Sequence, residues 1–194
     1  MDRIFLLSPA RATGRRAGSL TNPDANFELA RRLQIGDVTL GEVYAFCSGL
    51  YFRGKLTYAQ RFASAAEESV FVITPSRGLV SPATSVNAAA IREYSLVDVD
   101  ASDSRFTGPL QDAARKLLKD RTDEVVLLGS IATDKYVAPL LPIFGDRLLF
   151  PKEFLGRGDT SRGALLLRRA ASGEELEYEK VGSLAWAAAK TIRA

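Results

Sequence analysis

Histidine is absent from this 194-residue chain, and cysteine, methionine and tryptophan each occur once. Without an imidazole there is no Ser-His-Asp or Cys-His catalysis, no HExxH metal motif and no histidine general base. The single thiol, Cys47, supplies neither an intrachain disulfide nor a zinc cluster, which fits a reducing compartment, and its simplest place is as a small buried hydrophobe. Long apolar runs are missing as well. The opening MDRIFLLSPARATGRR has apolar residues from Ile4 to Leu7 and then arginines, too little for a signal-peptide core or a bilayer span. A cytoplasmic protein with no membrane partner is expected. Neither a Walker A loop (GxxxxGK[ST]) nor a GxGxxG fingerprint is present, so ATPase and dinucleotide-binding readings lack their physical anchor. No metal and no cofactor is expected, and any chemistry falls to carboxylates, Lys, Tyr, Ser, Thr, Arg or backbone dipoles.

What is present is a balanced, mildly basic composition. Lys and Arg number 26 against 23 Asp and Glu, for a net charge of +3, and 46% of the residues are hydrophobic. This permits a nucleic-acid partner without requiring one, and the length suits a single domain over residues 1–194. Short apolar runs recur at Ile4–Leu7, Val70–Ile73, Val125–Leu128 and Leu148–Phe150. Unbroken runs of this length suit strands buried on both faces of a parallel sheet. Helix-like segments lie between them, at Asn26–Gln34, Gly54–Ala66, Pro109–Lys119 and Thr133–Leu141. The alternation predicts an α/β protein: three layers, α/β/α, around a central, mostly parallel sheet of about four strands. In the tail, Ala164–Ala170 and Glu175–Val181 read as an antiparallel hairpin turning at Ala171–Glu174, with Glu175, Glu177 and Glu179 on a wet face. A last helix over Ser183–Ile192, with Trp186, is expected to pack back on the body. Asp98–Gly108 is expected to be a loop.

In open parallel sheets, ligands bind where the carboxyl ends of strands feed into loops. Four post-strand stretches qualify: Ser8 to Arg16, Thr74 to Gly78, Gly129 to Lys135, and the residues after Phe150 that lead into GRGDTSRG, Gly156–Gly163. Each combines a hydroxyl, a glycine and a cation, the makings of a phosphate or carboxylate site. The candidate ligand-binding residues are Ser8, Arg11, Thr13, Arg15, Ser76, Arg77, Ser130, Arg157, Ser161 and Arg162. To these the stretch YFRGK adds Tyr51, Arg53 and Lys55, two aromatics beside two cations ahead of a helix, suited to stacking a base and holding a phosphate. Tyr51 and Phe52 read equally well as core residues. Arg162 is favoured within its loop because Ser161 and Gly163 leave the backbone open around it. Asp134 and Asp159 are the candidate acid/base residues, against plainer roles: Asp134 at a helix start, and Asp159 as the ion-pair partner that holds an arginine.

The order of motifs resembles a known fold. VVLLGSIATDKYVAPLLPIFGDRLLFP, Val125–Pro151, is similar to the C-terminal half of the uracil-DNA glycosylase-like superfamily: a strand ending in a Leu-Leu-(x)-Gly-Ser pattern, here Leu127-Leu128-Gly129-Ser130, a helix, a short strand and a Pro-containing loop that addresses DNA. Ser8-Pro9-Ala10, the YFRGK helix start and Val72–Val80 resemble bacterial proteins and tRNA-modification accessory domains of similar layering. The resemblance spans most of residues 4–165. It implies a nucleotide or nucleic-acid partner and action on a nucleobase or nucleoside phosphate, as an N-glycosidase-like hydrolase or transferase. The chain departs from that superfamily where an activating Asp or Asn is usual after the first strand and a His in the late loop. Here Ser8, Thr13 and arginines stand instead, as in a branch lacking the usual catalytic Asp and His. Two further readings stand beside this one: an enzyme on a small phosphate- or carboxylate-bearing metabolite, and a non-catalytic interaction module using the charged face of the tail.

Overall fold

A computed structural model describes residues 3–65 and 68–183. The four apolar runs are strands: β1 (Arg3–Leu7), β3 (Val70–Thr74), β6 (Glu124–Leu128) and β7 (Leu148–Pro151). Two-residue strands β2 (Val38–Thr39) and β5 (Ser85–Val86) form a separate antiparallel pair. Strands β4 (Gly78–Val80) and β8 (Tyr178–Lys180) border the main sheet, whose order is β4-β3-β1-β6-β7-β8. Pairing is parallel from β3 through β7 and antiparallel at both edges.

The helices are α1 (Arg15–Thr21), α2 (Glu28–Ile35), α3 (Leu40–Ser48), α4 (Leu50–Phe62), α5 (Ala88–Ser95), α6 (Ser104–Asp120), α7 (Asp134–Phe144) and α8 (Asp159–Ser172). Alternation along β1 assigns them to two faces. Phe5 and Leu7 enter one core with residues of α1 to α5 and α8, including Leu20, Leu33, Tyr44, Phe52 and Leu166. Ile4 and Leu6 enter the other, with Phe106 and Leu110 of α6 and Tyr136 and Leu140 of α7. Successive side chains of a strand point to opposite faces, so the sheet separates two cores and the arrangement is α/β/α.

Several expectations need correction. Residues 164–170 are not a strand but the body of α8. Arg162, Gly163, Leu165 and Leu166 are buried together, the i, i+1, i+3, i+4 spacing of a helix face, which an apolar run alone does not separate from a strand. The turn expected at Ala171–Glu174 is the end of that helix, where Gly173 takes a left-handed φ of 71° that favours glycine. The antiparallel element of the tail is therefore β8 alone, paired with β7. Residues 104–108 are helical, started by Asp103, whose side chain accepts a hydrogen bond from the Arg105 amide. Helix α4 begins at Leu50, so Tyr51 and Phe52 lie inside it rather than ahead of it. Apart from Ser183, the expected last helix with Trp186 lies outside the described residues.

Candidate functional site

The chain leaves β1 toward the face that carries α1 and reaches β3 on one side of β1. It leaves β6 toward the face of α7 and reaches β7 on the other side. Adjacent strands whose following segments diverge in this way open a crevice at their carboxyl ends, the usual ligand position in such sheets. Ser8 follows β1 and Gly129 follows β6 at this point. A methyl group added at Gly129 would lie 3.0 Å from Ser8 Cβ, so glycine there lets the two loops close on each other.

Helix α4 delivers a lysine to the crevice. Lys55, 1% exposed, donates from Nζ to the Ser8 carbonyl (2.6 Å) and to Ser8 Oγ (2.7 Å). Its ammonium lies 4.4 Å from the Tyr51 ring centroid and 5.2 Å from that of Phe52, the i−4 and i−3 neighbours that share its helix face. Burial pushes the Lys55 amine down to about 7, with Asp159 acting to raise it and Lys135 and Arg162 to lower it further.

Helix α8 delivers the second cation. Arg162, 4% exposed, donates from Nε and Nη2 to the Phe154 carbonyl at 3.2 and 2.9 Å, with its guanidinium 5.2 Å from the Phe154 ring centroid. Asp159, its side chain 73% exposed, sits 3.6 Å from Arg162 Nη1. It is the one carboxylate within ion-pair distance of either cation among the described residues. The Tyr51 hydroxyl faces this guanidinium, buried and without a hydrogen bond of good geometry. Burial pushes that phenol up to about 12. Tyr136 of α7 reaches Ser8 with its hydroxyl and is also raised by burial.

The two helices can bring these residues together because they cross at glycines. A methyl group on Gly54 would lie 2.6 Å from the Gly163 carbonyl oxygen, and one on Gly163 would lie 2.9 Å from Leu50 O and Tyr51 Cα. The backbone at Gly163 is thus covered by α4, not open as expected, and it is this close approach that sets Arg162 beside Tyr51 and Lys55.

The other expected site residues are placed differently. Arg53 lies on the exposed face of α4, away from Lys55, because residues two apart on a helix do not share a face. Arg11, Thr13 and Arg15 are exposed after β1. Arg77 does not enter a strand-to-helix loop: β3 turns directly into antiparallel β4, and Glu93 accepts from Ser76 Oγ at 2.6 Å and forms an ion pair with Arg77. The exposed Arg157 donates to Ser161 Oγ at 3.1 Å within the start of α8. Ser130 is half-buried after β6, and Asp134, exposed, occupies the first turn of α7, where a negative charge favours the helix dipole. Of the tail carboxylates, Glu175 binds Arg3 and Tyr178, while Glu177 and Glu179 lie near Lys152, so that face is internally paired. Tyr136, Phe154, Gly129 and the two crossing glycines belong to the site but not to the expected set. Tyr51 and Lys55 at i, i+4 were the readable signal.

Among the described residues, no group of three or more His, Cys, Asp or Glu side chains is placed to hold a metal ion, and no helix is long and apolar enough to cross a membrane. No family model, curated protein or solved structure matches the chain.

Proposed function

We propose that this chain binds a nucleotide or nucleic acid, taking a phosphate at the carboxyl edge of β1 and β6 and acting there on a nucleobase or nucleoside phosphate. The observation that carries the reading is the buried guanidinium of Arg162, held by the Phe154 carbonyl and faced by one exposed carboxylate, Asp159, at 3.6 Å. A buried charge lacking full compensation is costly, and an anionic ligand would supply what is missing. The Tyr51 hydroxyl, buried without a hydrogen bond of good geometry beside Arg162, supplies a further polar contact. The resemblance to the uracil-DNA glycosylase-like superfamily points to the same ligand class. Arg11, Arg15 and Arg53, exposed and without a carboxylate partner among the described residues, are available to further phosphates.

The test is a titration with single-stranded DNA, tRNA and a nucleoside monophosphate at several salt concentrations. Binding should weaken with salt by about 0.7 to 0.9 log unit per log unit for each phosphate neutralised, and Arg162→Met should weaken it. Absence of salt-sensitive binding to all three probes would overturn the reading. The burial of Arg162 favours a second reading, an enzyme on a small anionic metabolite. Under it, mononucleotide-sized anions raise the melting temperature and oligonucleotides do not.

A further inference from the structure

Anion binding does not by itself require the contact between Ser8 and Lys55. Ser8 Oγ lies 2.7 Å from Lys55 Nζ, and the Ser8 carbonyl fixes the same amine at 2.6 Å. A hydroxyl within hydrogen-bond reach of a base that a third group holds in place is the arrangement that activates a weak oxygen nucleophile. Ser8 occupies the crevice where the strand order reverses. Its hydroxyl is backed by the Gly129 backbone, where an added Cβ would lie 3.3 Å from Ser8 Oγ, and it is met by the Tyr136 hydroxyl. Burial of Lys55 favours a neutral amine, the form a general base needs, and the nearby cations Lys135 and Arg162 act the same way against the opposing charge of Asp159.

We propose that Ser8 is a nucleophile and Lys55 its general base, a serine–lysine pair that hydrolyses an ester or amide whose anionic group is held by Arg162. The substrate class rests on the anion-site reading, whereas the nucleophile does not. Ser8 Oγ bonds to the substrate carbonyl carbon as its proton passes to the neutral Nζ. The ammonium so formed gives that proton to the departing alcohol or amine as the C–O or C–N bond breaks. Water then attacks the Ser8 ester, its proton passing to Nζ. Lys55 returns that proton to Ser8 Oγ as the carboxylic acid leaves. One water is consumed and no oxidant is needed. The charged and titratable groups facing Lys55 are Tyr51 on its own helix, Asp159 and Arg162 from α8, and Lys135 and Tyr136 from α7.

The test treats the full chain with phenylmethylsulfonyl fluoride and maps the adduct by peptide mass. Labelling is expected on Ser8, with a rate that rises about tenfold between pH 6 and 8 and then levels off, as for a base titrating near 7. It should be lost in Lys55→Met that keeps a cooperative unfolding transition. No adduct on Ser8, a Ser8 rate flat from pH 6 to 8, or an undiminished rate in folded Lys55→Met would each overturn the proposal. If that variant does not fold, the pH profile of the unsubstituted chain decides alone. The reagent is uncharged, so labelling of Ser8 remains readable even where nucleotide binding fails, and the two readings fall separately.

Discussion

Lys55 concentrates the physical tension of the site in one side chain. Its amine goes from 10.5 in the unfolded reference to about 7 when buried. Between those values the unfolded chain holds a proton that the native chain has released, so this residue makes stability rise with pH, by at most about 1.4 kcal/mol per pH unit. Below about 7 its cost is complete and constant. Cys47 works the other way, since burial pushes its thiol from 9.0 up to about 11, and its contribution is lost as pH rises above 9. Comparing the unsubstituted chain with Lys55→Met removes that shared background. Thermal unfolding at pH 7, 8 and 9 should show the unsubstituted chain gaining on Lys55→Met at each step. A constant gap would mean that Lys55 does not titrate in this range.

At the scale of elements, the crossing of α4 and α8 decides which side chains meet. Gly54 and Gly163 are mid-helix glycines, which cost helical stability relative to alanine, and their use here follows from the close backbone approach. Gly54→Ala and Gly163→Ala improve the intrinsic propensity of each helix yet place a methyl group 2.6 and 2.9 Å from the facing backbone. Backbone cannot swing aside as a flexible side chain can, so the helices must separate. Each substitution should destabilise by about 1 to 3 kcal/mol, measured by denaturant unfolding. Each should also weaken phosphate binding, because Arg162 then moves away from Tyr51 and Lys55. Gly18 of α1, where nothing lies within 4 Å of an added Cβ, is the control: Gly18→Ala should be neutral or stabilising by about 1 kcal/mol or less.

For the whole molecule, the sheet is a wall between two cores, and β1 contributes adjacent leucines to opposite sides of it. Leu6 and Leu7 are both fully buried, one against α6 and α7 and the other against the α1 to α5 and α8 face. Leu6→Ala and Leu7→Ala should each cost about 2 to 5 kcal/mol. If the two cores form one cooperative unit through the sheet, each variant shows a single, lower unfolding midpoint seen alike by far-ultraviolet circular dichroism and by the tyrosine near-ultraviolet signal, to which Tyr44 of one core and Tyr136 of the other contribute. Two separated transitions would show that the faces melt independently.

The sequence by itself determined the central strands, because its four short apolar runs alternate with helix-like segments, the pattern of parallel strands covered on both faces. It also determined that helices must cover them, and it marked Ser8, Tyr51, Lys55 and Arg162 by chemistry and position. Tertiary structure decided what local pattern leaves ambiguous. The run Ala164 to Leu167 became helix because burial at Arg162, Gly163, Leu165 and Leu166 follows helical spacing against α4. Arg77 was drawn to Glu93 and away from the switch point because β3 folds straight back into β4. GRGDTSRG, which reads as an open anion-gripping loop, is the start of a helix whose last glycine is a contact point and whose second arginine is buried. Which cations lie together depends on two helices, far apart in sequence, meeting where neither has a side chain, and no local pattern of residues encodes that distance.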